Sequence, residues 1–396
     1  MNNWREILLG YAYFKHKRLI SRSRKWTFEQ VVAFQASQLK KRTSSFPVST
    51  KKDYLTYPQK YERTWLRFLT KKVSTGGTTG KPFVFRRDLL FTSQKERAYL
   101  FDIWKEIGYK PYDLRVIFRG NISSNGKLLS YHFLENAYIV DPRLLNSEVK
   151  EELFRQLSQL PPFYLHVYPS SLFTLINFLG NENFKKLKIK GVLAGSESFP
   201  KGQLDHFINE FHIPVAHWYG HSEYAVLAKY NLSKDCFEFY PTYGAVEFIP
   251  TQEPDIFSIV ATSYNQLGTR FLRYDTQDLC VLEKPSETVS NFLSVKKIIG
   301  RSQDFFYDRE DQPNAFGPFL FGRHGEFWES FDDIQFQQKQ KGQLEVLIVG
   351  EKNPQLRNFL TEIFSEKVDL VFIPTTQIEK TASGKRKYFV QLYKKD

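Results

Sequence analysis

A chain of 396 residues, 41% hydrophobic and 25% charged, has enough apolar material for more than one packed core, which excludes a disordered or fibrous protein and suggests two domains. Its net charge of +13 points to anionic partners: nucleotides, pyrophosphate, phospholipid heads or nucleic acid. Two cysteines, Cys236 and Cys280, form no metal-ligand spacing and no disulfide framework, and no apolar run reaches the ~18 residues that span a bilayer, so the expected location is the reducing cytoplasm.

Along the chain, the first segment is basic. Arg5, Lys15, Lys17, Arg18, Arg22, Arg24 and Lys25 stand against one acid, Glu6, among tyrosines and phenylalanines. Such a start suits a solvated helix face or peripheral contact with an anionic membrane or an assembly complex. Residues 26–43 predict a helix, with Thr27 as cap and Glu29 or Gln30 as its capping-box partner. A Gly- and Thr-rich loop follows, inside "KKVSTGGTTGKPFVFRRD" at 71–88. The run closing that loop, and those at 114–120, 163–169 and 189–195, read as buried strands. Helical patterns at 92–107, 146–160, 170–180 and 201–211 alternate with them, which predicts an α/β fold with a largely parallel sheet. Residues 239–274 alternate apolar and polar side chains, as antiparallel or barrel-like strands do. From about residue 300 the pattern is mixed α+β. The expected division is a large domain over 1–299 and a small one over 300–396.

The loop at 74–81 offers successive backbone N–H groups and hydroxyls to an anion, which suits a nucleotide's phosphates as well as it suits a plain surface loop. It is not a Walker A loop. Thr75 stands where the first glycine belongs, and Pro82 after Lys81 has neither a hydroxyl for Mg²⁺ nor an N–H for a helix start. Gly76, Gly77 and Gly80 also miss the Rossmann spacing. "HWYGHSEYAVLA" at 217–228 nearly spells a nucleophile elbow, but Tyr224 occupies the closing position. Nucleotide binding fits better there: Tyr219 to stack on a base, Ser222 to touch phosphate and Glu223 as a hard oxygen ligand for Mg²⁺. In "FLRYDTQDL" at 271–279, Asp278 can accept two ribose hydroxyl hydrogen bonds. "IIGRSQDFFYD" at 298–308 falls on the domain junction, and "KTASGKRKYFV" at 380–390 places Lys385 after a tight Ser-Gly turn.

Taken in order, these segments resemble the adenylate-forming enzymes: acyl-CoA synthetases, nonribosomal adenylation domains and luciferases. The nearest branch is the phenylacetate–CoA ligase family with its capsular-polysaccharide-cluster relatives. "STGGTTGKP" is similar to the family's phosphate loop, "GVLAGSES" to its adenine-pocket segment, and "WYGHSE" to its Tyr-Gly-x-Ser/Thr-Glu motif. "RYDTQD" is similar to its Tyr-x-Thr-Gly-Asp motif, "IGRSQD" to its Gly-Arg hinge and "KTASGK" to its C-terminal lysine motif. The likeness runs from about residue 40 to 390.

The resemblance implies a large domain of mixed sheets flanked by helices, with a small mobile C-terminal lid. It implies that ATP and a carboxylic acid give acyl-AMP and pyrophosphate, and that the acyl group then passes to a thiol, commonly that of coenzyme A, or to an amine. Ser74, Thr75, Gly76, Gly77, Thr78, Thr79, Gly80 and Lys81 would hold pyrophosphate. Tyr219 would stack on adenine beside Gly195, Ser196, Glu197 and Gly220, with Ser222 on phosphate. Asp278 and Arg301 would fix the ribose, Glu223 would carry Mg²⁺, and Lys385 would bridge carboxylate and α-phosphate. Gln303 and Asp304 would lie at the hinge. Two positions depart from the pattern: Gln277 replaces the glycine before Asp278, and Gln303 replaces the usual Asp or Lys. They support an alternative, a nucleotide-binding scaffold of a polysaccharide assembly system that no longer catalyses.

Overall fold

The computed structural model describes residues 9–39, 46–75, 83–89, 91–119, 126–141, 144–199, 202–251, 255–264, 266–282, 293–301, 305–311, 313–316, 330–379 and 387–393. Near the start, the helix Gly10–Ser23 buries Ala12, Tyr13 and Ile20 and leaves Tyr11, Phe14, Lys15, Arg18 and Arg22 exposed. The helix Phe28–Leu39 opens on a reciprocal capping box: the Thr27 N–H donates to Gln30 Oε1 at 3.0 Å and the Gln30 N–H to Thr27 Oγ1 at 3.4 Å.

The Gly/Thr loop joins an antiparallel hairpin of β1 (Thr70–Thr75) and β2 (Phe83–Asp88), with Ser74 opposite Val84 and Thr75 opposite Phe83. Its end therefore enters a strand, as Pro82 predicts. The expectation of a buried strand is corrected: β2 stands in a separate two-stranded sheet and is only half buried, with Phe83 and Phe85 inward and Val84 exposed. That alternation is the mark of a hairpin with one face in water. Asp88 then caps the helix Phe91–Trp104, accepting from the N–H groups of Phe91 and Thr92 at 2.6 and 2.9 Å.

Twelve strands form the main sheet: β3 (Arg115–Phe118), β4 (Leu129–His132), β5 (Ala137–Val140), β6 (Phe163–Val167), β7 (Ile189–Gly195), β8 (Val215–Gly220), β9 (Leu227–Asn231), β10 (Cys236–Phe239), β11 (Gly244–Pro250), β12 (Ile256–Ser263), β13 (Tyr274–Leu282) and β14 (Ser294–Arg301). Their order is β11-β12-β13-β14-β10-β9-β8-β7-β6-β3-β5-β4. Only the block β8-β7-β6-β3-β5 is parallel; the remaining neighbours are antiparallel. The sheet is thus mixed rather than largely parallel, because the alternating strands after residue 220 extend the same sheet. The five-residue run of β6 is buried throughout, as expected for a strand covered on both faces.

Beyond Arg301 the chain leaves that sheet. β15 (Phe305–Tyr307) pairs with β16 (Pro313–Ala315), and β17 (Asp333–Gln340), β18 (Gln343–Val349), β19 (Asp369–Pro374) and β20 (Phe389–Gln391) form a mixed four-stranded sheet. A core cluster drawn wholly from residues 306–389 packs this sheet against the helix Gln355–Phe364.

Candidate functional site

The parallel strands β3, β6, β7 and β8 end on one edge of the main sheet, and the next neighbour, β9, runs the other way. The carboxyl ends of parallel strands beside such a switch form a natural ligand crevice. Arg119 follows β3, Tyr168 follows β6, Ser196 and Glu197 follow β7, and His221 to Tyr224 follow β8.

The sheet also curls. Four neighbour steps separate β8 from β13, about 19 Å in a flat sheet at ~4.8 Å per strand. Yet the Tyr219 hydroxyl donates to Asp278 Oδ2 at 2.6 Å. The curl brings two sequence-predicted residues, 59 positions apart, into contact. Burial first, and the Asp278 carboxylate second, push the Tyr219 hydroxyl well above the usual tyrosine range, so it remains a donor. Arg301 is the Cα partner of Asp278 across β13 and β14, so these two backbone positions are neighbours. Gln277 takes φ +64°, the left-handed conformation a glycine supplies freely. Its N–H donates to Asp275 Oδ1 at 2.9 Å, and that of Asp278 donates to Thr276 Oγ1 at 3.2 Å. The turn therefore survives without the glycine.

Glu223 is held from several sides. His221 Nδ1 lies 3.0 Å from Oε2, and the Tyr274 hydroxyl donates to Oε1 at 3.4 Å. The Gln266 amide donates to the carbonyls of Glu223 and Tyr224, at 2.8 and 3.1 Å. A narrow cleft lies against Glu223, lined also by Arg87, Asp88 and Gln266. Ser222 beside it is exposed. One ordered carboxylate fits Mg²⁺, which usually takes one or two carboxylates together with phosphates and water. Among the described residues no cluster of three or more His, Cys, Asp or Glu offers a metal cage.

Gly195 closes β7 for a packing reason. A Cβ there would lie 2.3 Å from Trp218 Cε2 and 2.5 Å from Cζ2. Ser196 follows in the left-handed region, φ +69°. Of the other predicted residues, Ser74 and Thr75 belong to β1, and Gly220 ends β8. Gly76, Gly77, Thr78, Thr79, Gly80, Lys81, Gln303, Asp304 and Lys385 lie outside the described residues, as does the side chain of Arg301.

Sequence reasoning passed over Gln335. This fully buried glutamine on β17 donates through its one amide nitrogen to the Glu379 carbonyl at 3.0 Å and the Lys387 carbonyl at 2.8 Å. It ties together both ends of the segment that carries Lys385. The signal was present in "DIQFQQKQ", where glutamine recurs in a strand with a buried face. Arg119 and Tyr274 were also passed over.

No protein-family model matches the chain. A crystal structure of 2-hydroxyisobutyryl-CoA ligase in the postadenylation state, in complex with R3-HIB-AMP, superposes with a TM-score of 0.61 at 14% identity, covering 96% of this chain and 88% of that one. The fold is that of an adenylate-forming acyl-CoA ligase. An ATP-bound RpMatB-BxBclM chimera shares this fold at a TM-score of 0.51 and 13% identity, over 81% of this chain and 66% of that one. Among curated proteins, Protein CapK of Staphylococcus aureus is 24% identical over 255 residues, 60% of this chain. The chain spans about half the length of that relative, 54%. No helix among the described residues is long and apolar enough to cross a membrane.

Proposed function

We propose that the protein adenylates a carboxylic acid with ATP and transfers the acyl group to a thiol, that of coenzyme A, or to an amine. The observation that carries this reading is the Tyr219–Asp278 hydrogen bond at the curled edge, beside the clamped Glu223. It joins three residues of two separate family motifs in one place. Asp278 would accept the ribose hydroxyls while Tyr219 presents its ring to adenine. Glu223 would hold Mg²⁺, which supplies neutralisation of phosphate charge when bound. The loop between β1 and β2 would grip the departing pyrophosphate.

The approach of a carboxylate to a phosphate is the main electrostatic obstacle, and a fixed cation between them removes it. Lys385 is our candidate for that cation. Residues 300–396 would form the lid that carries it, turning about Gln303 and Asp304, as the change of core after Arg301 supports. The exposed face of the helix Gly10–Ser23, with Lys15, Arg18 and Arg22, would rest on an anionic membrane surface. The likeness to Protein CapK supports a place in polysaccharide assembly. The retained turn at Gln277 speaks against a scaffold that has lost catalysis.

The test is carboxylate-dependent ATP–pyrophosphate exchange. Lys385→Ala lowers exchange by at least ~10²-fold while ATP still binds, as for loss of a charge-stabilising group. Near-wild-type exchange in this variant rules the mechanism out.

A further inference from the structure

The Tyr-Gly-x-Ser/Thr-Glu pattern that "WYGHSE" resembles leaves its middle position open, and His221 fills it here. β8 ends at Gly220, and a tight turn follows in which the Tyr224 N–H donates to the His221 carbonyl at 3.1 Å. A turn of this kind folds the chain back on itself. Here it brings the side chains of His221 and Glu223 together, Nδ1 to Oε2, at 3.0 Å. Both side chains are only 12% exposed, so this is a shielded contact and not a solvent-screened surface pair. On the other oxygen, Oε1, the Tyr274 hydroxyl is more distant, at 3.4 Å.

Chemistry decides the direction of the His221 bond. An ionised carboxylate can only accept, and a carboxylate must be ionised to hold a metal. Nδ1 therefore carries the hydrogen, whether the ring is neutral or charged. Nε2 is buried and has no hydrogen-bond partner among the described residues, so Nδ1 makes the bond that orients the ring. The imidazole also packs edge-on against Tyr219, with centroids 6.3 Å apart and planes at 68°. Tyr219 is itself fixed by its bond to Asp278. Glu223 is thus tied, through His221 and Tyr219, to the carboxylate read as the ribose acceptor. A glutamate side chain is long and rotatable, and one that must meet a metal gains from being oriented before the metal arrives.

We propose that His221 is a positioning residue: its Nδ1–H aims the Glu223 carboxylate at Mg²⁺ and so sets how strongly Mg²⁺ tightens ATP binding. This rests on the reading of Glu223 as the Mg²⁺ ligand of the adenylation site and deepens it. The role needs a donor at one place and no proton transfer, so a side chain that never titrates can fill it.

Two amide variants separate the donor from the ring. In His221→Asn the amide nitrogen stands where Nδ1 stood and still donates; in His221→Gln it stands where Nε2 stood. The readouts are calorimetric ATP binding with and without Mg²⁺, and Mg²⁺ titration of carboxylate-dependent ATP–pyrophosphate exchange. His221→Gln is expected to raise the Mg²⁺ concentration required by about 10–100-fold, the usual cost of losing a group that orients a metal ligand. Its ATP binding without Mg²⁺ is unchanged, and His221→Asn recovers most of the Mg²⁺ effect. Thermal melting of both variants confirms that they fold. An unmoved Mg²⁺ dependence in His221→Gln, or an equal loss in folded His221→Asn, overturns the role of His221 and leaves adenylation standing. Exchange absent with every acid, while Mg²⁺ tightens ATP binding to the wild type and not to His221→Gln, overturns adenylation and leaves the positioning role in place.

Discussion

Gly195 offers a direct test of why the site's backbone is built as it is. In Gly195→Ala the new methyl meets Trp218 at 2.3 Å, more than 1 Å inside the usual ~3.5–4.0 Å carbon contact. The indole cannot swing away easily. It is 5% exposed, with Trp104 and His166 packed 5.7 and 5.8 Å from its centroid. Overpacking of this kind costs about 1–3 kcal/mol. At roughly 2–4 °C per kcal/mol, Tm falls by about 2–12 °C. The assay is thermal and denaturant unfolding of Gly195→Ala, Trp218→Phe and the double variant. Phenylalanine removes the ring atoms that clash, so the double variant recovers at least ~1 kcal/mol relative to additivity. If Gly195→Ala keeps its Tm and loses ATP affinity instead, the glycine serves close approach of the nucleotide and the packing argument fails.

Gln335→Met removes both donors that tie the Lys385 segment, and should lower kcat for adenylation by about 10-fold with ATP affinity unchanged, as for a misplaced catalytic group. Loss confined to ATP affinity would refute that role. Lys95 is buried, its ammonium donating to the Tyr243 carbonyl at 2.6 Å, and desolvation lowers its pKa from 10.5 to about 8. Between those values the unfolded chain holds a proton the folded chain has released, so stability rises with pH there; Lys95→Met abolishes that contribution, and a pH-independent difference from wild type in urea unfolding contradicts it. Replacing Lys15, Arg18 and Arg22 by Gln should weaken sedimentation with phosphatidylserine vesicles by about 10²-fold, at ~1 kcal/mol per cation, and no change would exclude the helix from the contact.

Much of this fold is legible in the sequence because local rules and tertiary packing agree. The helix from Phe28 has its capping box, the β6 run is buried throughout, and the strands after 239 pair antiparallel as expected. What was not legible depends on distance in the chain. The curl that joins Tyr219 to Asp278 sums small twists over four strand steps, and no local pattern encodes that sum. The sharing of Glu135 by Arg97 and Arg115 is likewise invisible in sequence, since only the folded neighbourhood brings the three side chains together. Gly195 was legible as a motif residue, but its reason, the Trp218 ring, comes from an adjacent strand.

The backbone adds an argument of its own. Ser196, Tyr224 and Gln277 all take positive φ, and none is Gly, Asn or Asp, the residues that adopt it at least cost. Each sits where a strand delivers a predicted ligand group: beside Glu197, beside Glu223 and before Asp278. Left-handed conformations cost an L-residue about 1–2 kcal/mol each, and glycine at these places would avoid that cost. Gln277 is the clearest instance, because the resemblance puts glycine at that position. A side chain retained at the expense of strain has a use that glycine lacks, and strain of this kind clusters at working sites. For a scaffold with an idle site, strained backbone at these three places serves nothing. For an enzyme that must aim Asp278 and Glu223 at one nucleotide, they fix the aim.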